Sequence, residues 1–361
     1  MLGVGLLGVV MIALNLQLLS TRQNNTEGMK AQDCGIDWAP LPQNASWTIS
    51  DRFRTEVRNK MLEYSTPDGV ILLTSFSVGY TDMVFNTILN LKYFGLDRHV
   101  VFICEDRNSW KSLEEYEYAE QAVISDIGLS RSAGKTGKFG EDSYWSLTMP
   151  RPWYMTFGLE AGVKVIWIDP DIFFVKNIVE EFKNLKPDLE SGFILERDHN
   201  RYICSGIIFF APTCNNRVLV REWQIEMIKR GDGLDQSALQ QALKNIGGFQ
   251  NRSDWKVGFI DMKKGCSGWT FWKDRSCFYD QLIFAHANWI TGRVAKVKRL
   301  ECSKMWLLPC YLDASPSQIL FFNLSDTSRC QGFDFFEKPL ESVVAVHKGA
   351  SVKECPLPEI L

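Results

Sequence analysis

"VIWIDPDIFF", residues 165–174, sets two acids inside one of the most apolar runs of the chain. Asp169 and Asp171 stand one residue apart, between Ile166-Trp167-Ile168 and Ile172-Phe173-Phe174. Charged side chains are rarely buried without a partner, because desolvation costs several kcal/mol per ion. Two acids at the end of what reads as a core strand therefore need a reason.

The surroundings say what kind of strand this is. "GVILLTSF" (69–76), "HVVFIC" (99–104), "AVIS" (122–125) and "VKVIWI" (163–168) are compact apolar runs. Helical patterns lie between them. Val84, Ile88 and Leu91 share one face of "DMVFNTILNLKYFGL" (82–96), with Gly95 as a stop. "SWKSLEEYEYAEQ" (109–121) predicts a helix capped by Ser109 or Ser112, and "SLTMPRPWYMTFGLEAG" (146–162) one interrupted near Pro150 and Pro152 and ended at Gly162. Alternating strands and helices predict an α/β fold with a mostly parallel central sheet flanked by helices. Such sheets bind ligands beyond the carboxyl ends of their strands, where Asp169 and Asp171 stand. The second half is mixed, with strands at "SGFILE" (191–196) and "SGIIFFAP" (205–212) and helices at 216–230 and 234–245. After Lys263 the chain is rich in Cys, Trp, Gly and Pro and reads as irregular structure pinned by disulfides.

Composition bounds the partners. With 361 residues, 45% hydrophobic and 23% charged, the chain is an ordinary globular one with ample core. A net charge of −3 lacks the basic excess of a nucleic-acid binder. No charge occurs from Leu2 to Leu19, although Asn15 and Gln17 interrupt the run. A spanning helix needs about 20 mostly apolar residues, so residues 1–20 read as a signal anchor or a signal peptide. Residues 21–66 follow as a polar lumenal stem, with a short helix near Asp51–Glu63 capped by Ser50. Residues 67–361 form the main domain. Sequons at Asn24, Asn44, Asn251 and Asn323 and an even count of 10 cysteines favour the secretory route. Cys104, in an apolar strand, also suits a buried thiol.

Asp-x-Asp after a strand has three readings. Asp-Pro-Asp is good turn chemistry. A haloacid-dehalogenase-type phosphatase carries D-x-D-x-Thr/Val on its first strand, whereas here the fifth position is Phe173 and the strand comes late. Third, two carboxylates can hold a hard divalent cation that also binds a diphosphate.

Four segments add to the third reading: "TSFSVGYTDMVFNTILNLKYFGLDRHVVF", "VIWIDPDIFFVKN", "CSGIIFFAPTCNNRVLVREWQ" with "LDQSALQQAL", and "FAHANWITGRVAK". In order and spacing they resemble the nucleotide-diphospho-sugar transferase family, GT-A glycosyltransferases that include plant xylosyl- and arabinosyltransferases. The resemblance spans roughly residues 70 to 299. Pro170 within the D-x-D and Arg293 in place of the family's usual Lys depart from the pattern.

The resemblance implies a GT-A-like fold with a Cys-rich C-terminal part, and roles for particular residues. Asp169, Asp171 and His286 would hold Mn²⁺ or Mg²⁺ against the diphosphate of a UDP-sugar. Arg151, Arg293 and Lys296 would reach phosphate oxygens, and Thr74, Ser75 and Tyr80 would receive the nucleotide. Asp235 and Gln236 would act at the sugar. Plainer readings stand beside these: a backbone-satisfied core histidine for His286, a solvated basic face for "GRVAKVKR", packing for Tyr80, and a helix N-cap for Asp235. The expected activity is metal-dependent transfer, with retention, from a UDP-sugar to a hydroxyl of a glycan or glycoprotein. The expected place is the Golgi membrane, single-pass type II, with secretion as the alternative. A non-catalytic glycan- or nucleotide-binding protein on the same fold is the rival.

Overall fold

A computed structural model describes residue 34 and residues 49–126, 147–197, 202–231, 233–249, 254–290, 292–303 and 305–308. The N-terminal apolar segment, most of the stem, and Cys310, Cys330 and Cys355 lie outside the described residues. Among the described residues, no helix is long and apolar enough to cross a membrane.

The first half alternates as expected. The strands β1 (Val70–Phe76), β2 (Val100–Cys104), β3 (Ala122–Ile124) and β4 (Lys164–Ile168) pair in parallel in the order β3-β2-β1-β4. Beyond β4 the sheet becomes mixed. The strand β8 (Ile207–Phe210) runs antiparallel to β4, and β6 (Ser191–Arg197) antiparallel to β8. Both β7 (Tyr202–Ile203), antiparallel, and β9 (Val257–Ile260), parallel, pair with β6.

Strand residues alternate between two cores. Ile71, Leu73, Val101, Ile103, Val165 and Trp167 face the helices α1 (Asp51–Tyr64), α4 (Arg151–Ala161), α6 (Cys214–Arg230) and α7 (Asp235–Asn245). Val70, Leu72, Val100, Phe102, Ile166 and Ile168 face α2 (Thr81–Tyr93), α3 (Arg107–Glu114) and α5 (Ile178–Leu185). Helix α1 starts on the predicted cap: the Ser50 hydroxyl accepts from Phe53 N at 3.1 Å. Its Phe53, Val57 and Met61 are buried in the first core, so it packs as part of the globular body.

Helix α3 differs from expectation. Its cap is Asp106, whose carboxylate accepts from Ser109 N at 2.8 Å, and the helix ends by Glu114. Glu117, at φ 63°, turns the chain away before the sequence pattern runs out. Helix α4 begins after Pro150, with Pro152 in the first turn, where a missing N–H costs nothing, and ends at Gly162 with φ 78°.

A second, three-stranded sheet follows β4. It contains β5 (Ile172–Phe174), β10 (Gly265–Cys266) and β11 (Phe284–His286), in the order β10-β11-β5. Asp169-Pro170-Asp171 forms the turn that carries the chain from the large sheet into the small one. The tail expected to be irregular thus contains two strands and the helix α8 (Arg293–Cys302), and its Cys266–Cys277 bridge is present. Cys214 bonds Cys34, whereas Cys104 and Cys204 are buried thiols.

Helix α4 lies close on β4 because Gly158 carries no side chain: a Cβ there would overlap Val165 Cγ2. This seam aligns Arg151, at the start of α4, with Asp169, past the end of β4. Gly158→Ala should lower unfolding stability by about 1–3 kcal/mol from overpacking, although alanine favours helix. Urea titration measures it; a gain in stability would mean the seam has slack.

Candidate active site

The Asp169 backbone N–H donates to Gly206 O at 2.8 Å, tying the end of β4 to the start of β8. Asp169 Oδ1 accepts from Arg151 Nη2 at 2.7 Å and from Trp167 Nε1 at 2.9 Å. Its Oδ2 lies 3.7 Å from His286 Nε2. Asp171 is buried; its Oδ1 lies 3.1 Å from His286 Nε2 and its Oδ2 accepts from Lys296 Nζ at 2.7 Å. The cause is register: β5 and β11 pair with Ile172 opposite His286, which brings the imidazole beside the turn. One ligand atom from each of Asp169, Asp171 and His286 falls within 4.8 Å of the others.

Gly206 makes this convergence possible. A Cβ there would stand 2.7 Å from Asp169 Oδ2 and overlap the His286 ring. Behind the ring, Cys204 Sγ lies 3.6 Å from Nδ1.

Burial works against ionisation of Asp171, but Lys296 and His286 outweigh it and hold the carboxyl well below its usual range. Burial likewise disfavours an imidazolium, and Asp171 overcomes it to raise the His286 pKa. Burial also opposes the charge of Lys296, and Asp171 more than restores it.

Arg151 lies between two acids. Its Nη1 donates to Asp235 Oδ2 at 2.6 Å and to Ser205 O at 2.8 Å. Its guanidinium carbon sits 4.6 Å from the centroid of the Trp167 ring. Asp235 is the first residue of α7, with Leu234 as the N-cap, and its carboxylate pairs with Arg151. Burial raises the Asp235 pKa, with Arg151 pulling the other way. Gln236 Oε1 accepts from Ser205 N at 3.2 Å, and its Nε2 donates to Glu196 Oε2 at 2.9 Å. The other Glu196 oxygen accepts from Asn288 Nδ2 at 2.9 Å.

The remaining predicted residues are spread around this centre. Arg293 Nε donates to the buried Asp82 at 3.0 Å, with Nη2 on the same carboxylate. Thr74 and Ser75 are buried on β1. Tyr80 is half-buried, and its hydroxyl acts electrostatically on Lys296.

Glu196, Gly206 and Glu105 were missed in the sequence. Glu196 and Glu105 carry the signal that marked Asp169, an acid closing an apolar strand. Glu105 follows β2, is fully buried, and accepts from Tyr154 OH at 2.9 Å. Burial pushes its pKa up to about 8, with Tyr154, Ser125 and Ser75 pulling down.

A family model described as nucleotide-diphospho-sugar transferase matches residues 95–300. The chain is 21% identical over 306 residues to an Arabidopsis thaliana UDP-D-xylose:L-fucose alpha-1,3-D-xylosyltransferase, MGP4, covering 78% of this chain and 83% of that one. A second Arabidopsis thaliana protein, UDP-D-xylose:L-fucose alpha-1,3-D-xylosyltransferase 3, is 21% identical, covering 76% of each chain. Among solved structures, mouse xyloside xylosyltransferase 1 matches at 15% identity and TM-score 0.35, covering 61% of this chain and 98% of that one. The glycosyltransferase GlyE of Streptococcus pneumoniae TIGR4 matches at 12% identity and TM-score 0.41, covering 71% of this chain and 62% of that one.

Glu105 gives a pH prediction. Below its ordinary value of 4.5, both folded and unfolded states hold the proton; between 4.5 and about 8 only the folded state does. Stability should therefore fall as pH rises through that window, by up to about 1.4 kcal/mol per unit. Thermal midpoints from pH 5 to 8 should drop in the wild type, with a flatter profile in Glu105→Gln. Parallel profiles would mean that Glu105 is already ionised in the fold.

Proposed function

The chain belongs to the nucleotide-diphospho-sugar transferase family, a glycosyltransferase related to UDP-xylose xylosyltransferases, and from that premise we propose that it moves a sugar from a UDP-sugar to a hydroxyl of a glycan or glycoprotein at a divalent-cation site. The observation that carries this reading is the convergence of Asp169, Asp171 and His286. Two carboxylates and an imidazole are donors suited to Mn²⁺, with Mg²⁺ the harder alternative. Gly206 keeps the space against Asp169 and His286 clear of a side chain. A cation bound there supplies neutralisation of the charge that develops on the departing nucleoside diphosphate.

The chain's own groups divide the rest. Lys296, already on Asp171, is the cation nearest the proposed diphosphate. Arg293 is bound to Asp82, so in this reading it fixes the helix that carries Lys296. Arg151 sets the carboxylates of Asp169 and Asp235 in place for the same complex. Thr74, Ser75 and Tyr80 border the nucleoside. Gln236 keeps its amide oriented through Ser205 and Glu196. That nitrogen carries two hydrogens, and the one Glu196 does not take is offered to a sugar hydroxyl. Asp235, beside it, adds negative charge near a developing oxocarbenium ion. Retention of configuration belongs to the proposal, drawn from the α-linkage in the relatives' names. So does a Golgi lumenal location with residues 1–20 as a type II anchor, or else secretion. The Cys34–Cys214 and Cys266–Cys277 bridges support an oxidising compartment.

Calorimetry of UDP with the full chain, with and without Mn²⁺, is the test, followed by hydrolysis of a UDP-sugar panel beginning with UDP-xylose. Binding should require the ion; no UDP binding in its presence would end the reading. Asp169→Asn keeps an oxygen for Arg151 and Trp167 but loses the charge. It should weaken Mn²⁺ binding at least about tenfold, read by the electron paramagnetic resonance of free Mn²⁺. Asp171→Asn is a poorer probe, because it leaves the half-buried Lys296 without its carboxylate. It should also cost about 3–5 kcal/mol of stability, measurable by urea titration.

A further inference from the structure

Trp289 is the one exposed tryptophan among the described residues, at 38%. Its backbone is left-handed, with φ 57°. A bulky residue in that region is a genuine outlier, and such strain persists only where the surroundings over-determine it. Here they do. The preceding residue, Asn288, donates through Nδ2 to Glu196 at 2.9 Å and accepts through its backbone oxygen from Arg299 Nη1 at 2.6 Å. Its Oδ1 takes the Gly268 N–H. Gly268 itself must lack a Cβ, which would overlap Asn288 O. Arg299 Nη2 then reaches the Trp289 carbonyl at 3.4 Å. With residue 288 held by its side chain and its carbonyl, the next ring is turned outward.

The ring does not stand alone. Trp269 lies 5.7 Å away, with its plane inclined by 66°. Lys273 Nζ sits 3.6 Å from the Trp269 centroid. The result is an aromatic surface with a cation at its edge. Its place in the site is specific: Trp289 follows the cluster residue His286 by three positions, and Asn288 shares Glu196 with Gln236. The first link leads to the proposed cation site and the second to its sugar end at Gln236, across β4 from the nucleoside side on β1.

We propose that Trp289, backed by Trp269, is a stacking platform for a pyranose ring of the acceptor. A pyranose presents a face of C–H groups that complements the electron-rich face of an indole, while its hydroxyls stay at the rim in water. Lys273 and the Asn288–Glu196–Gln236 chain supply polar groups at that rim. A nucleobase would also stack on an indole, but the base belongs at β1 in the proposed complex. The acceptor role rests on the transferase reading; the carbohydrate-stacking surface does not.

Saturation-transfer difference NMR on the full chain with Mn²⁺ and UDP tests this, using methyl glycosides of L-fucose, D-xylose and D-galactose. At least one glycoside should show saturation on its ring C–H protons. Trp289→Phe should keep part of that signal. Trp289→Asn, a residue that tolerates left-handed backbone, should bind the glycoside about five- to tenfold more weakly. Its UDP affinity should be unchanged and its melting midpoint unchanged or raised. No signal in the wild type, or an undiminished signal in Trp289→Asn, would overturn the platform. A loss of UDP affinity equal to the loss of glycoside would assign the ring to the nucleotide instead. Glycoside saturation that depends on Trp289 in a chain that binds no UDP would sink the transfer reading and leave the platform standing.

Discussion

The buried guanidinium of Arg151 joins three elements that the chain delivers far apart in sequence. It binds Asp169 at the end of β4, Asp235 at the start of α7, and Ser205 O before β8. Two carboxylates brought this close inside the protein would repel each other without it. Burying an arginine among them is not a cheap way to gain stability, since well-packed apolar residues do as well or better. What the bridge supplies is position. By taking Asp169 Oδ1, it leaves Oδ2 toward His286, and it commits Asp235 to face the same centre. The face of Trp167 covers the guanidinium, so the bridge is shielded from water, where its attraction would be weaker.

Helix α8 repeats this logic from the other side. Arg293, Lys296 and Arg299 recur every three residues and so share one face. Each binds a different element: Asp82 on α2, Asp171 in the turn, and the Asn288 carbonyl after β11. Burial draws the Arg299 pKa down to about 10, with Asp171 opposing. One helix therefore clamps the start of α2, the small sheet and the acid pair together. Its burial departs from ordinary amphipathicity at two places: Val294 is 51% exposed and Arg299 is buried, beside the buried Val297 and Leu300.

The buried Arg299 and the paired Arg293 and Lys296 explain part of what was legible in the sequence and what was not. "GRVAKVKR" looked like a solvated basic face because charge normally marks the outside. Only Lys298 among its later basic residues is fully outward. The strands were legible because both faces of the large sheet are covered, which makes them continuous apolar runs. The small sheet was not, because β5 and β11 belong to segments more than a hundred residues apart and each is only three residues long. No local period announces such a pairing. Yet that pairing is what brings His286 to Asp171. Glu105 and Glu196 closed apolar strands as visibly as Asp169 did, each with a second acid close by, Asp106 and Asp198, but neither pair stood in a segment that resembled a known motif. Gly206 and Gly268 matter only for what their missing Cβ leaves room for, which depends on residues elsewhere in the chain.

Turn and site, set against each other as readings of Asp-Pro-Asp, are compatible: the turn is present, and the proposed site depends on it. In an extended strand, residues two apart share a face but lie about 6.6 Å apart along it. The turn at Pro170 folds that spacing, so the two carboxylates and the imidazole come within 4.8 Å. Proline suits the place because its carbonyl is used, accepting from Thr87 Oγ1 at 2.9 Å, while no donor is required of its nitrogen. The Asp171 carbonyl is used as well, by Ala287 N at 2.9 Å. The second of these bonds, with the β5–β11 pairing, fixes Asp171 relative to His286, and the first ties the turn to α2. The apolar flanks are then two different strands, one in each sheet, and the acids occupy the joint between them. Arg151 and Lys296 offset the burial of the two carboxylates there, which is why two charges can end a core strand.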